Sequence, residues 1–455
     1  MKRILSIVLL ALAAVCCAPD MDYLENLPKE EETGQEGQTP GKDSLERIIS
    51  VLPGGIVPEV RISIKESDWN RLLNAYNEDN STQEYIPADA SYSAGAVRES
   101  VIGAGLRLKG ASSRRYPGEA GNLHHVHFGL HFSEYTKEAQ MLGTSRLDLK
   151  WFKDDSAYCR EVFCYDLFQR YGVWTAISAG YVRLWVKVGD KETYMGVYAL
   201  MEHVKGDYVK HRQDLFGGKG GHLWKARSGA SLRDPNAWMG ADDNENDYTY
   251  ELKTNKKDFE TAQAELQTFI RNLNNLTGNE FYSWAEKTMD VPLLLRTYAV
   301  NVVVGMWDDY WNNTANYYFY FNPDGKFFFI PYDYDNTLGT CLAMGSQSDA
   351  GRQDPLHWGP DANPLISKLL RRPEWKALYI SYMKELCSGD FKADVAMARI
   401  RDWHKVIGPY VSNDTGEDME IKDQPAYWGN HHEYRILSSG TNNFFQVKAS
   451  VVNAL

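Results

Sequence analysis

Two short acidic stretches in the second half of the chain carry side chains that could accept a proton and hold a metal ion. WDDYWNN contains Asp308, Asp309 and Asn313, and FIPYDYDNTLG contains Asp333 and Asp335. An Asp such as Asp308 can accept a hydroxyl proton, while an Asn five residues later holds a metal ion. Phosphoryl transfer needs this division of tasks, because its catalysis is mostly positioning and charge neutralisation. The sequence leaves open whether Asp308 or Asp309 would be the base.

The second stretch follows a pattern that is typical of a β-strand. Residues 326–335 alternate in character, which predicts that Phe327, Phe329, Asp333 and Asp335 share one face. Two carboxylates at this spacing can converge on a hard cation such as Mg²⁺. The alternative is that the two Asp residues only begin a turn. Taken alone, the stretch favours the turn, and the acidic cluster upstream shifts the balance towards a metal site.

The elements that must position these side chains change in character along the chain. Alternating apolar positions predict strands in the first half. These strands are expected at residues 57–64, 101–110, 126–132, 145–152, 181–188 and 193–204. A capped helix is predicted at residues 154–172, and helical patterns dominate after residue 259 apart from a hairpin at residues 317–331. This order predicts an α+β fold with a strand-rich first half, a helix-rich second half and a boundary near residues 215–260.

Composition limits the classes of partner. The 455-residue chain has a net charge of −12, which argues against general binding to nucleic acid or to anionic lipid. An anionic substrate would therefore need a local basic patch or a metal ion. The 28 Tyr and 13 Trp residues indicate a large core or a surface that stacks on sugar rings. A carbohydrate-associated protein is thus one alternative.

The N-terminus predicts export. MKRILSIVLLALAAVCC has two early cations, a short apolar run and then small residues, as a secretory signal peptide does. The adjacent cysteines indicate a lipoprotein signal of residues 1–17, with Cys17, or else Cys16, as the lipidated residue. Simple cleavage without a lipid is the alternative. Residues 18–50 are acidic and polar, so we expect a flexible tether. The protein is expected in the cell envelope, lipid-anchored in the outer membrane, either periplasmic or surface-exposed.

The four remaining cysteines, at positions 159, 164, 341 and 387, form no CxxC pair, which argues against a zinc knuckle. Disulfides, which an exported chain could form, and buried free thiols are both open interpretations.

A series of sequence blocks resembles the CotH (spore coat protein H) kinase family. The blocks are, in order, LRLKGASSR, LDLKWFKDDSAYCREVFCYDLFQRYG, YMGVYALMEHV, LWKA, YELKTN, WDDYWNNTANYYFYF, FIPYDYDNTLG and NPLISKLL. The GVYALMEHV and FIPYDYDNTLG blocks are the most specific. The resemblance covers residues 51–390, and residues 391–455 are predicted to be a helical extension.

The resemblance implies a diverged protein-kinase-like fold with two lobes. It also implies ATP in the cleft, Mg²⁺ or Mn²⁺, and phosphotransfer to a secreted or surface protein whose identity the sequence does not give. On this basis Asp333 is the expected metal ligand. Asn313 is expected to hold the same metal from its spacing after Asp308, and Asp335 is expected to support the site or to form the turn. Asp308 or Asp309 is the expected catalytic residue, and Phe327 would stack on adenine.

The same resemblance implies further cleft residues. Lys225 and Glu202 lie in family blocks, Lys109 stands where the family has an Arg, and Glu161 would orient a Lys that contacts phosphate. Histidines at 124, 125, 127 and 131 stand where basic residues are expected, and neutral imidazole holds phosphate poorly. A surface lipoprotein that kept the fold as a binding module without turnover is therefore a further alternative.

Overall fold

The strands of the first half build a closed barrel in the computed structural model of the chain, which describes residues 47–242, 248–342 and 349–455. The strands are β1 (Glu59–Ile64), β2 (Ile86–Ala94), β3 (Val97–Lys109), β4 (Gly118–Glu119), β5 (Asn122–Leu123), β6 (His127–His131), β7 (Arg146–Lys150), β8 (Ala179–Val188) and β9 (Lys191–Glu202). The barrel order is β1-β2-β3-β6-β7-β9-β8, and β4 and β5 form a separate small hairpin.

Alternation of buried and exposed residues explains the barrel. In β1, Val60, Ile62 and Ile64 are buried and their neighbours are not. The same alternation places apolar side chains of the other strands in the barrel interior, and Trp69 of the following helix packs against them. Closure pairs β1 with β8 in parallel, which leaves no free sheet edge.

Helices occupy most of the second half. The helices are α1 (Glu66–Glu78), α2 (Arg160–Arg170), α3 (Gly206–His211), α4 (Gln213–Phe216), α5 (Phe259–Asn275), α6 (Gly278–Thr288), α7 (Val291–Val303), α8 (Pro364–Leu369), α9 (Pro373–Ser388), α10 (Ala393–Ile407) and α11 (Phe444–Asn453). A second hydrophobic core, distinct from the barrel interior, lies among α2, α5, α7 and α9. The α2 helix is buried on nearly every side, which explains its weak amphipathic pattern.

A second sheet accompanies these helices. Its strands are β10 (His222–Ala226), β11 (Met239–Gly240), β12 (Tyr250–Leu252), β13 (Tyr317–Phe321) and β14 (Phe327–Pro331). Their order is β11-β12-β10-β13-β14. The predicted hairpin is confirmed, since β13 and β14 pair antiparallel around a turn in which Gly325 has a φ of 76°.

The structure confirms a mixed α+β fold. The sequence did not predict the closure of seven strands into a barrel. The comparison with a two-lobed kinase stays a prediction, as does the division into signal, tether, domain and C-terminal extension. Residues 1–46, with the predicted signal and most of the tether, lie outside the described residues, and within the described ranges no helix is long and apolar enough to cross a membrane.

The C-terminal segment reaches back to the barrel. Between α10 and α11, Glu417 accepts hydrogen bonds from Arg115, at 2.5 and 2.6 Å, and from the backbone N–H of His125 at 3.1 Å. Asp418 accepts one from Nε1 of Trp151 at 2.7 Å. The loop between β3 and β6 is thereby held by residues about three hundred positions later in the chain.

Cys159, Cys164, Cys341 and Cys387 are all free and buried. The structure therefore supports the interpretation as buried thiols.

Candidate functional site

A cavity of about 1070 Å³ lies where the barrel strands β3, β6 and β7 face β10 and β13 of the second sheet. Ten Lys and Arg residues line it, against six Asp and Glu residues, although the whole chain carries a net charge of −12. The cavity therefore supplies the local basic surface that an anionic substrate would need. Its size also suits a ligand as large as a nucleotide.

Lys150, at the end of β7, lies at the centre of the acidic residues. Its Nζ atom is 2.6 Å from Glu161 of α2, 2.7 Å from Asp333 and 3.5 Å from Asp335. Burial opposes the charge of Lys150, but the three carboxylates outweigh it and raise the pKa of the amine well above its usual value. Lys150 is therefore a fixed cation in the cavity wall.

The three carboxylates also form a set that could hold a metal ion. Glu161, Asp333 and Asp335 each offer an oxygen atom, and these atoms lie within 4.8 Å of one another. Oε1 of Glu161 and Oδ1 of Asp335 are buried and lack a hydrogen-bond partner. Burial raises the pKa of Glu161 to about 7. Buried carboxylate oxygens without a partner are costly, so this donor set fits a divalent cation such as Mg²⁺.

The backbone at Asp333 explains why this side chain leaves the strand. Asp333 has a φ of 67°, and its N–H donates a hydrogen bond to the hydroxyl oxygen of Tyr165 at 3.0 Å. The β14 strand ends at Pro331, so the alternation does not continue to residue 335. The predicted shared face is therefore wrong, because the left-handed residue turns the two carboxylates away from the direction of Phe327 and Phe329. Left-handed conformations of residues other than Gly are concentrated at functional sites.

The structure separates Asp308 from Asp309. Asp308 lines the cavity and accepts a hydrogen bond from the amide of Asn313, which lines it too. Burial raises the pKa of Asp308, which makes it a better proton acceptor. Asp309 is only 3% exposed and accepts hydrogen bonds from Nδ2 of Asn301 at 2.6 Å and the N–H of Asn312 at 2.8 Å. Asp308 is thus the carboxylate that a substrate can reach.

Two of the other predicted cleft residues line the cavity. Lys225 of β10 lies 5.8 Å from the ring centroid of Tyr318, and burial, with Arg227 and Lys253 nearby, lowers the pKa of Lys225 to about 7. Lys109 of β3 lines the wall as well and is paired with Asp148.

Two predicted residues lie elsewhere. Glu202 is 1% exposed, and both of its oxygens are bound by Arg212, at 2.6 and 2.7 Å, so it is a structural ion pair. Phe327 is 1% exposed and stacks on Phe269 in the second core, with ring centroids 4.6 Å apart. The rings that do line the cavity include Tyr318 and Tyr332. We therefore leave Glu202 and Phe327 out of the proposed site.

The histidines of the first half are dispersed. His127 lines the cavity and accepts the backbone N–H of Trp151 at 3.0 Å through Nδ1. Burial lowers the pKa of His127 to about 3, so its ring is neutral. His124 and His125 face the C-terminal segment, and His131 is paired with Glu134.

Lys150 is the residue that sequence reasoning missed. Glu161 was expected to orient a lysine, and the lysine that it contacts is Lys150. A signal existed, because Lys150 ends an alternating strand 11 residues before Glu161 in the first turn of the next helix.

Comparison with known proteins gives the family. A family model described as CotH kinase protein matches residues 106–438. The chain belongs to the CotH kinase family. A search of curated proteins finds no match. The CotH range includes all the residues named above around Lys150 and Asp308, while β1 and β2 of the barrel precede it. The resemblance seen in the sequence blocks is thereby confirmed.

Proposed function

We propose that this CotH-family chain is an ATP-dependent phosphotransferase that modifies a hydroxyl group on a secreted or surface protein. The observation that carries the proposal is the position of Lys150. Its amine is 2.6 Å from Glu161 and 2.7 Å from Asp333, in the same cavity as Asp308. A lysine oriented by a helix carboxylate beside a metal-binding Asp is the arrangement with which protein kinases hold ATP phosphates.

The acidic residues have separate tasks in this proposal. Asp333 and Asp335 of the three-carboxylate set, together with Asn313, would hold a Mg²⁺ or Mn²⁺ ion, which neutralises charge on the phosphate groups. Glu161, the third carboxylate, would orient Lys150. Lys150 and Lys225 bring positive charge to the same groups from the barrel and from the second sheet. Tyr318 and Tyr332 offer aromatic surface to the base in place of Phe327.

Asp308 is the proposed general base. It accepts the proton of the acceptor hydroxyl while that oxygen attacks the terminal phosphorus of ATP. The bond from this phosphorus to the bridging oxygen breaks, and ADP leaves with the electron pair. The hydrogen bond from Asn313 orients the Asp308 carboxylate.

Calorimetry with ATP and either Mg²⁺ or Mn²⁺ tests the proposal. Wild type should bind ATP only with the metal, and Asp333→Ala should abolish binding. Asp324→Ala is the matched control, since Asp324 lies in the turn after β13, outside the cavity. If the wild type binds ATP with neither metal, the proposal is wrong. Binding without transfer to any protein would favour the alternative of a binding module.

We also propose that the protein is lipid-anchored in the cell envelope through Cys17, or else Cys16, most simply at the outer membrane. The support is the signal-like N-terminus and the polar segment after it. Membrane fractionation of Cys16→Ala and Cys17→Ala variants tests this. One of the two variants should leave the membrane fraction. If the wild type itself is found in the soluble fraction, the proposed lipid anchor is wrong.

A further inference from the structure

A second group of cations lies in the cavity at the end of β7 remote from Lys150. Arg107 of β3 donates a hydrogen bond from Nε to the hydroxyl oxygen of Tyr85 at 3.1 Å. Arg146 of β7 donates one from Nη1 to the same oxygen at 3.0 Å. One neutral oxygen atom thus holds two half-buried guanidinium groups side by side, and all three residues line the cavity.

Neither guanidinium group forms an ion pair with a carboxylate in the part of the chain that the structure describes. Arg107 also donates to the side-chain oxygen of Gln83, which is neutral. Glu134 lines the same part of the cavity and is paired with His131. The oxygen atoms that directly accept hydrogen bonds from the two like-charged guanidinium groups are neutral. An anion bound between the two groups would bring an opposite charge into direct contact with both of them.

We propose that Arg107 and Arg146, held by Tyr85, form a second anion-binding subsite that takes a phosphate or carboxylate group. The planar fork of Arg matches both of these anions. Arg146 precedes Lys150 by four residues, which is about 13 Å along the strand. We therefore assign the anion bound here to a subsite separate from the one around Lys150. This assignment of two subsites rests on the proposed function.

The phosphate or carboxylate group at this subsite can come from two sources. The anion can belong to an acceptor, as an acidic or phosphorylated side chain close to the modified hydroxyl. It can also be a phosphate group of the bound nucleotide other than the one that is transferred. Titration with inorganic phosphate, in the presence and absence of saturating ATP and Mg²⁺, separates the two.

The variants are Arg107→Gln and Arg146→Gln, with Arg98→Gln as the matched control. Arg98 lies on the same strand as Arg107 but outside the cavity. We expect each cavity variant to weaken phosphate binding about tenfold and the control to leave it unchanged. Tyr85→Phe keeps both charges but removes the oxygen that holds them, so a smaller loss is expected. Thermal melting checks that every variant folds.

The outcomes are distinct. If phosphate still binds to the Arg pair in ATP-saturated protein, the anion comes from the acceptor. If ATP displaces phosphate and ATP affinity also falls about tenfold in Arg146→Gln, it comes from the nucleotide. Unchanged affinity for phosphate and for ATP in both folded variants would overturn the subsite. Failure of the wild type to bind ATP would instead overturn the proposed function, because phosphate binding can be measured without ATP.

Discussion

The hydroxyl group of Tyr334 donates a hydrogen bond to Oδ1 of Asn301 over 2.7 Å. Nδ2 of the same asparagine donates to Asp309 over 2.6 Å. Tyr334 follows Asp333 and Asp309 follows Asp308, so one buried residue of α7 links the two loops that present the candidate metal ligand and the candidate base. Buried hydrogen bonds of this kind are strong and geometrically restrictive.

Removing the Tyr334 hydroxyl should therefore disturb the site more than the fold. For Tyr334→Phe we expect about 1 kcal/mol lower free energy of unfolding and about tenfold slower ATP turnover, with little change in KM for ATP. Tyr298→Phe is the matched control, because Tyr298 lies on α7 like Asn301 and its buried hydroxyl has no hydrogen-bond partner. Equal turnover in the two variants would contradict a positioning role for Tyr334.

Replacing Lys150 should have opposite effects on two ligands. In Lys150→Met the carboxylates of Glu161, Asp333 and Asp335 lose the ammonium group that now pairs with them. We expect Mn²⁺ alone to bind about tenfold more tightly, because the metal no longer competes with that charge. ATP with Mn²⁺ should bind at least about tenfold more weakly, because a phosphate contact is lost.

Lys153→Met is the control for this experiment. Lys153 also lines the cavity but is paired with Asp154, away from the three carboxylates. Metal binding is measured by electron paramagnetic resonance and nucleotide binding by calorimetry. A parallel loss of both affinities in Lys150→Met would show that the lysine does not compete with the metal.

Nucleotide binding should depend on pH through Lys225. Burial lowers the pKa of this amine to about 7, so above that pH the free protein loses the proton. Phosphate oxygens favour the charged form, and binding should then take up a proton and weaken as the pH rises from about 7 to 9. Lys225→Arg stays charged and should remove this dependence. Calorimetry in two buffers of different ionisation enthalpy measures proton uptake, which would be the same in both proteins if the prediction is wrong.

The buried Lys448 should lower the free energy of unfolding at neutral pH. Its amine is buried without a hydrogen-bond partner, 4.6 Å from the ring centroid of Trp358, and burial lowers the pKa of Lys448 to about 7. Between this value and the ordinary lysine pKa of about 10.4, the unfolded chain holds a proton that the folded chain lacks. The free energy of unfolding should therefore rise with pH across that range.

Lys448→Met should remove this rise and add about 2 kcal/mol at pH 7, because Met fills a similar volume without a buried amine. Chemical denaturation at pH 7 and pH 10 measures both effects. Lys376→Met, at an exposed position on α9, is the control. A variant less stable than wild type at pH 7 would show that the amine makes a favourable contact.

Sequence reasoning succeeded where the determinants are local. The β13–β14 hairpin and the meeting of Asp308 with Asn313 follow from residues a few positions apart. The α2 helix does so as well, although it begins at Arg160 and not at the predicted residue 154. The pairing of Lys150 with Asp333 joins residues 183 positions apart, and only the tertiary fold creates it. Closure of the barrel through the β1–β8 pair is non-local in the same way.

The prediction that Phe327 shares a strand face with Asp333 and Asp335 was wrong for a different reason. Strand alternation was extended beyond Pro331, but one left-handed residue, Asp333, ends the regular geometry there. Conformations of this kind are fixed by surrounding contacts, here the hydroxyl of Tyr165, and leave little trace in the pattern of residue types.

The hydrogen bonds between Arg115 and Glu417 make one wall of the cavity depend on a residue near the C-terminus. Arg115 directly follows residues 110–114 of the cavity wall, yet its partner is made 302 positions later. A chain still emerging from the ribosome, or one clipped before residue 417, has all the acidic residues around Lys150 but lacks the carboxylate that binds Arg115 beside this wall. This contact therefore forms only when nearly the whole chain is present, and the cavity wall of an unfinished copy lacks one of its supports.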